Sequence, residues 1–143
     1  MRYLGLDLGT KTLGVAVSDK TGLIATSLTI LRHDNNFDFL IEELKKIIKE
    51  KEIETIVLGL PKNMNNTIGE RGEMVLSFKE KLEESIPLPV ILEDERLTTK
   101  VAENILITAD VSRKKRKKVI DKMAANVILQ SYLDRRNNGR YEI

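Results

Sequence analysis

Apolar and polar positions alternate with a period of two along the first third of the chain, and this pattern predicts β-strands. Three such runs cover residues 2–9, 13–18 and about 24–31. The connecting segments, TKT and DKTG, are short enough for hairpin turns. The first three strands are therefore expected to form an antiparallel meander.

The apolar period then changes to that of a helix, within NNFDFLIEELKKIIKEKE, where Asn35 or Asn36 is available as the N-cap. A β-rich run, ETIVLGLP, comes next, followed by a polar loop, a helix over about 70–84 and a second buried strand, LPVILEDE. Two more helices are predicted, one in TTKVAENILITAD and one over about 116–135. Strands joined by crossover helices lie parallel. The order predicts an α/β fold with a mixed five-stranded sheet and helices on both faces, which matches the ribonuclease H-like arrangement.

Length and composition limit the class of protein. A chain of 143 residues without an internal linker is expected to form one domain, over residues 1–136, with a flexible tail at 137–143. It has no cysteine and no apolar run long enough to span a bilayer, so a cytoplasmic protein without a membrane partner is expected. Charge is nearly balanced, with 24 Lys and Arg against 22 Asp and Glu. The run RKKRKK at 113–118 either binds phosphates or forms a solvated helix start.

Asp7 lies in the middle of the first apolar strand, on the same side as Gly5 and Gly9. A buried carboxylate is costly unless hydrogen bonds, an opposite charge or a metal ion compensate it. Neighbouring backbone N–H groups are one source of compensation, and a bound cation is the other.

Three further acids are candidates for the same site. Asp94 and Glu95 end the fifth predicted strand, at the edge where open α/β sheets bind ligands. Alternation along a strand allows only one of them to face Asp7 readily, and Glu95 is favoured for its longer reach. Asp121 shares a helix side with Ala124, Ala125 and Ile128, so it is expected to project over the sheet. Carboxylates of Asp7, Glu95 and Asp121 would form an oxygen-rich site suited to Mg²⁺ or Mn²⁺, with Asp94 as the reserve acid.

Four motifs, DLGTKTLGVAVSD, GLPKNMNNTIGERG, DERLTT and KVIDKMAANVILQSYLD, together resemble the YqgF family. These are bacterial pre-16S rRNA nucleases, also described as Holliday junction resolvases, with a ribonuclease H-like fold. The match runs from residue 3 to about 134. The resemblance implies a metal-dependent nuclease that acts on structured RNA in maturing the 5′ end of small-subunit rRNA, with a pre-ribosomal particle as a candidate partner.

The family's acids fall on Asp7, on the Asp94 and Glu95 pair and on Asp121. Phosphate contacts are expected in the same motifs, from Lys11, Asn63, Asn65, Arg96, Thr98 and Thr99. The chain departs from the family pattern at Thr12, where Arg is usual, and at Asn65 and Asn66, where Asp and Gly are common. Lys62 and Arg71 lie beside the polar loop and add positive charge, whereas His33 is expected to be a surface residue.

Three other functions compete with RNA cleavage. A resolvase would cut a DNA junction, generally as a dimer. The first hairpin also resembles that of actin-like and sugar-kinase ATPases, but those proteins need two such domains. A nucleic-acid-binding module without catalysis gains nothing from three converging acids. The sequence leaves open the choice between monomer and dimer.

Overall fold

A computed structural model describes residues 1–61, 68–95 and 124–137. Five strands and two complete helices lie within these ranges: β1 (Arg2–Leu8), β2 (Thr12–Ser18), β3 (Ala25–Arg32), α1 (Phe37–Lys51), β4 (Ile53–Leu60), α2 (Glu70–Ser85) and β5 (Val90–Asp94). Residues 124–137 are helical and are called α3 here. None of the helices in the described ranges combines the length and apolar character needed to cross a bilayer.

The strands form one mixed sheet in the order β3-β2-β1-β4-β5. β1 pairs antiparallel with β2, and β2 antiparallel with β3. β4 pairs parallel with both β1 and β5. The predicted meander followed by parallel strands is confirmed, and so is the ribonuclease H-like strand arrangement. Because β1, β4 and β5 are parallel, their carboxyl ends lie at one edge of the sheet.

One sheet face is covered by α1 and α2. Side chains Leu4, Leu6 and Leu8 of β1 lie on this face and are fully buried. They pack in one core with apolar residues of both helices: Leu40, Ile41, Leu44, Val75, Phe78 and Leu82. Asn36 caps α1 by accepting a hydrogen bond from the Phe39 N–H at 3.1 Å. This helix cap is one of the two that the sequence offered.

The opposite face is covered by α3, which approaches the sheet closely. A Cβ added to Gly5 would lie 2.6 Å from the Leu129 Cβ and 3.0 Å from the Ala125 carbonyl oxygen. Such distances are too short for any side chain on β1 at this position, so glycine is required for the helix to pack. The alternation of β1 therefore directs leucines to one face and Tyr3, Gly5 and Asp7 to the face that α3 covers.

His33 fixes the turn between β1 and β2. Its Nδ1 accepts a hydrogen bond from the Asn35 N–H at 2.9 Å, so Nε2 carries the proton and donates to the Gly9 carbonyl, also at 2.9 Å. The residue is only 2% exposed. The expectation of a surface residue is wrong, because a residue just after an edge strand can fold inward to bind a neighbouring turn.

Several sequence expectations lie outside the described residues. They are the helix in TTKVAENILITAD, the basic run at 113–118, the start of the last helix and the end of the predicted tail, residues 138–143. Asn137, the first residue of that tail, is helical, and its side-chain amide donates to the Gly22 carbonyl at 3.0 Å.

Candidate active site

Two carboxylates from distant parts of the chain meet at the carboxyl edge of the sheet. Asp7 lies near the end of β1, opposite Gly14 of β2. Glu95 directly follows β5, two strands away across β4. The two side chains interact through a hydrogen bond. Folding thus joins the first predicted acid with one member of the Asp94 and Glu95 pair.

Asp7 is held in a partly open position. Its side chain is 17% exposed, and the Arg71 guanidinium approaches Asp7 Oδ1 at 3.4 Å and the Leu8 carbonyl at 3.3 Å. A Cβ added to Gly14 would lie 3.7 Å from the Asp7 Cβ. Asp7 therefore remains accessible on one side. Among the ion pairs of the described ranges, it takes part only in this long contact with Arg71.

Glu95 is buried, and its carboxylate lies directly over Gly59 of β4. A Cβ added to Gly59 would be 2.5 Å from Glu95 Oε1 and 2.6 Å from the Ile128 Cδ1. Burial raises the pKa of Glu95 to about 9, with further increases from the hydrogen bond and negative charge of Asp7. At neutral pH without a cation, we therefore expect Glu95 to be protonated, because burial disfavours its charged form and the neighbouring Asp7 disfavours it further.

Strand alternation assigns Asp94 to the other side. Glu93 and Glu95 both contact the face covered by α3, since Glu93 pairs with Arg135 and Glu95 lies beside Ile128. Asp94 is half-buried and occupies the register position opposite Leu60. Its charge still raises the pKa of Glu95. The geometry thus distinguishes two acids that the sequence left as alternatives.

The buried Glu93 anchors the end of β5 to α3. Its carboxylate accepts two hydrogen bonds from the Arg135 guanidinium, at 2.6 and 2.5 Å, and is 3% exposed. The forked pairing of Arg with a carboxylate fixes both position and orientation. Sequence reasoning did not identify this pair, which holds the strand that presents Glu95.

The donor set fits a hard divalent cation, although it is incomplete in the described ranges. Asp7 and Glu95 supply carboxylate oxygens in contact with each other, and glycine at position 59 leaves the space that the Glu95 carboxylate fills. The described residues contain no group of three or more His, Cys, Asp or Glu side chains placed to hold a metal ion. The third predicted ligand, Asp121, lies outside the described residues.

The predicted phosphate contacts are described only in part. Lys11 is exposed in the turn after β1, and its carbonyl accepts a hydrogen bond from the His33 N–H at 2.9 Å. Five other predicted contacts lie outside the described residues: Asn63, Asn65, Arg96, Thr98 and Thr99.

The raised pKa of Glu95 predicts a pH-dependent stability in metal-free protein. The unfolded chain releases the Glu95 proton near its ordinary value of 4.5, whereas the folded chain keeps it to about 9. The free energy of unfolding should therefore fall as pH rises between these values, with a slope approaching about 1.4 kcal/mol per pH unit. Urea unfolding with chelator at several pH values measures this slope.

The variant Glu95→Gln cannot ionise and should flatten the pH dependence. The matched control is Glu54→Gln, at an exposed position of β4, which should keep the wild-type slope. Equal slopes for wild type and Glu95→Gln would contradict a protonated Glu95 in the metal-free fold.

Known proteins match this chain over most of its residues. The family model described as RuvX, Holliday junction resolvase, matches residues 1–135. A relative from Geobacillus kaustophilus, described as "Putative pre-16S rRNA nuclease", is 62% identical over 94% of this chain and 98% of its own.

Solved structures share the fold at lower identity. Thermus thermophilus RuvC in complex with a Holliday junction substrate has a TM-score of 0.61 at 15% identity, over 96% of each chain. A ROK hexokinase from the same organism has a TM-score of 0.50 at 25% identity, over 72% of this chain but only 38% of the hexokinase. The resemblance inferred from the sequence motifs is confirmed. With its family model matched over residues 1–135, this chain belongs to the RuvX family of Holliday junction resolvases.

Proposed function

We propose that this protein is a divalent-metal-dependent nuclease that hydrolyses phosphodiester bonds in the precursor of 16S rRNA, at its 5′ end. The observation that carries the proposal is the meeting of Asp7 and Glu95 at the carboxyl edge of the sheet. Two adjacent acids, one of them buried, are unfavourable for a scaffold, but they are useful for binding a cation. Mg²⁺ or Mn²⁺ suits these oxygen ligands.

Asp7, Glu95 and Asp121 would hold the ion, with Asp94 as the reserve ligand. Asp121 precedes Ala125 by four residues in the chain, and Ala125 packs beside Gly14, the strand partner of Asp7. When bound, such ions activate water and stabilise the leaving oxygen of a phosphodiester. The buried surroundings of Glu95 exclude bulk water from one side of the site.

Lys11 lies beyond the end of β1 and would attract the sugar-phosphate backbone, together with Asn63, Asn65, Arg96, Thr98 and Thr99. Contacts of these kinds position a strand without reading its bases. RNA is favoured as substrate because the Geobacillus kaustophilus relative is described as a pre-16S rRNA nuclease and is 62% identical to this chain. Action on a pre-ribosomal particle in the cytoplasm belongs to the same proposal.

Cleavage of a four-way DNA junction is the second candidate. The matched family model is described as a Holliday junction resolvase. A resolvase cuts two symmetrically related strands, so this activity requires a dimer. Nucleotide binding is disfavoured because the chain matches 38% of the ROK hexokinase and therefore spans one of its halves at most.

Parallel cleavage assays separate these functions. Purified protein is incubated with Mn²⁺ and either labelled RNA spanning the 5′ end of 16S rRNA and its precursor, or a labelled four-way DNA junction. We expect cleavage of the RNA at a defined position and at least tenfold slower cutting of the junction. Chelator should abolish cleavage, since the acids alone supply no activated water.

Controls make each outcome informative. Preferential cutting of the junction, by protein that sediments as a dimer, would replace the RNA proposal with the resolvase. Cleavage that persists in chelator would contradict metal dependence. Stabilisation by ATP without cleavage of either substrate would favour nucleotide binding.

A further inference from the structure

The positively charged side chain of Arg71 reaches Asp7 from α2, in the helix layer on the other side of the sheet from α3. Arg71 is the second residue of α2, and its Nη2 reaches across to Asp7 Oδ1 at 3.4 Å and to the Leu8 carbonyl at 3.3 Å. The contact joins positions 64 residues apart in the chain. α2 is otherwise bound to the sheet by its apolar face, through Val75, Phe78 and Leu82. The packing of that face therefore fixes where the guanidinium can reach.

The contact is weak enough to exchange. Hydrogen bonds between Arg and a carboxylate are usually about 2.7–2.9 Å, shorter than either contact that Arg71 makes. The Arg71 side chain is 46% exposed, so solvent screens the pair. Arg135, by comparison, forms two short contacts with the buried carboxylate of Glu93. Arg71 thus lacks the geometry of a fixed structural pair.

A divalent ion bound by Asp7 would compete with this guanidinium. Both cations need the same carboxylate oxygens, and like charges at such short range repel. A guanidinium displaced from Asp7 remains tethered to α2 beside the site, with its planar donor fork available. That fork matches the two oxygens of a phosphate group.

We propose that Arg71 is an exchangeable cation of the site. In the metal-free protein it neutralises Asp7. Once a divalent ion occupies Asp7, Arg71 binds a phosphate of the nucleic acid strand next to the ion. The inference rests on the proposed function, because it takes Asp7 as a metal ligand.

The variant Arg71→Gln should change two affinities in opposite directions. Without nucleic acid, its affinity for Mn²⁺, measured by calorimetry, should rise about threefold to tenfold, because a competing cation is gone. Its affinity for the precursor RNA in Ca²⁺, measured by fluorescence anisotropy on RNA shown to be uncut, should fall about tenfold or more. The plot of log affinity against log salt concentration should become less steep, by about 0.7–0.9 in slope, which is the value for one lost phosphate contact.

Two further variants test the assignment. Lys46→Gln removes an exposed charge from α1, on the opposite layer from α3, and should leave Mn²⁺ affinity unchanged. Arg71→Lys keeps the charge but not the fork, and should restore most of the salt slope with only part of the RNA affinity. A purely structural role for Arg71 would lower both affinities together or change neither.

The results distinguish this inference from the function on which it rests. If wild type binds Mn²⁺, Asp7→Asn abolishes that binding, and Arg71→Gln matches wild type for both ligands, the exchange role alone is overturned. If Asp7→Asn binds Mn²⁺ like wild type, the metal site itself is misplaced and both proposals fail.

Discussion

Replacement of Asp7 by Asn should reduce RNA cleavage by on the order of a thousandfold or more, while the protein stays folded. The substitution keeps the size of the side chain but removes the charge needed to bind a divalent cation. Groups that act as one catalytic unit lose most activity when one of them is removed. Single-turnover cleavage of the precursor RNA in Mn²⁺ measures the loss.

The stability of Asp7→Asn separates a catalytic role from a structural one. Asp7 adds to the cost of ionising Glu95, and its own contact with Arg71 is long and half-exposed. The variant should therefore unfold in urea, with chelator present, at a concentration no lower than wild type. Asp38→Asn is the matched control, because Asp38 is an exposed acid in the first turn of α1, and it should retain full activity. Parent-level cleavage by Asp7→Asn would exclude Asp7 from the chemistry.

The layer architecture follows from local patterns that the sequence displays directly. β1 alternates leucine with Tyr3, Gly5 and Asp7, and each set lies on the face that the alternation predicts. α2 spans Glu70–Ser85, close to the helix predicted over about 70–84. These features depend on neighbours along the chain, so a single sequence contains enough information to predict them.

The details of the site depend on contacts between distant residues. Parity could not distinguish Asp94 from Glu95, because the sequence does not say which face of β5 meets α3. In the fold, Glu93 lies on that face and pairs with Arg135 of α3, which places Glu95 there too. His33 was misjudged for a similar reason, since its partner Gly9 belongs to another strand end. An acid within an apolar strand, such as Glu93, together with arginines near the end of a helix, such as Arg135, indicates that an ion pair of this kind can form. The sequence alone does not specify which residues pair.

Gly59 is the least conspicuous residue that the site requires. In the sequence it appears as the glycine of an apolar strand, ETIVLGLP, and as the first residue of the motif GLPKNMNNTIGERG, where no role was assigned to it. In the fold it lies beneath the Glu95 carboxylate, and its missing side chain is the space which that group occupies. The position of Glu95 beside Asp7 therefore depends on a residue that contributes no functional group.

Replacement of Gly59 by Ala should reduce cleavage by about a hundredfold and weaken Mn²⁺ binding. The added methyl group would lie 2.5 Å from Glu95 Oε1 and 2.6 Å from Ile128 Cδ1, so both side-chain ends must move. A displacement of about 1 Å at a catalytic group is enough for a loss of this size. Both clashing atoms are ends of flexible side chains, so the fold should survive, at a cost of about 1–3 kcal/mol in the free energy of unfolding.

Gly14→Ala provides the matched control for this substitution. It adds the same methyl group on the same sheet face, but at 3.4 Å from the Ala125 Cβ and 3.7 Å from the Asp7 Cβ, which are ordinary contact distances. It should therefore keep cleavage within a few fold of wild type. If Gly59→Ala and Gly14→Ala lose activity only in proportion to their loss of stability, Glu95 does not need its observed position. A loss of cleavage in Gly59→Ala that exceeds its loss of stability, with Mn²⁺ affinity reduced although the protein is still folded, would instead show that the space above β4 is what brings the second carboxylate to Asp7.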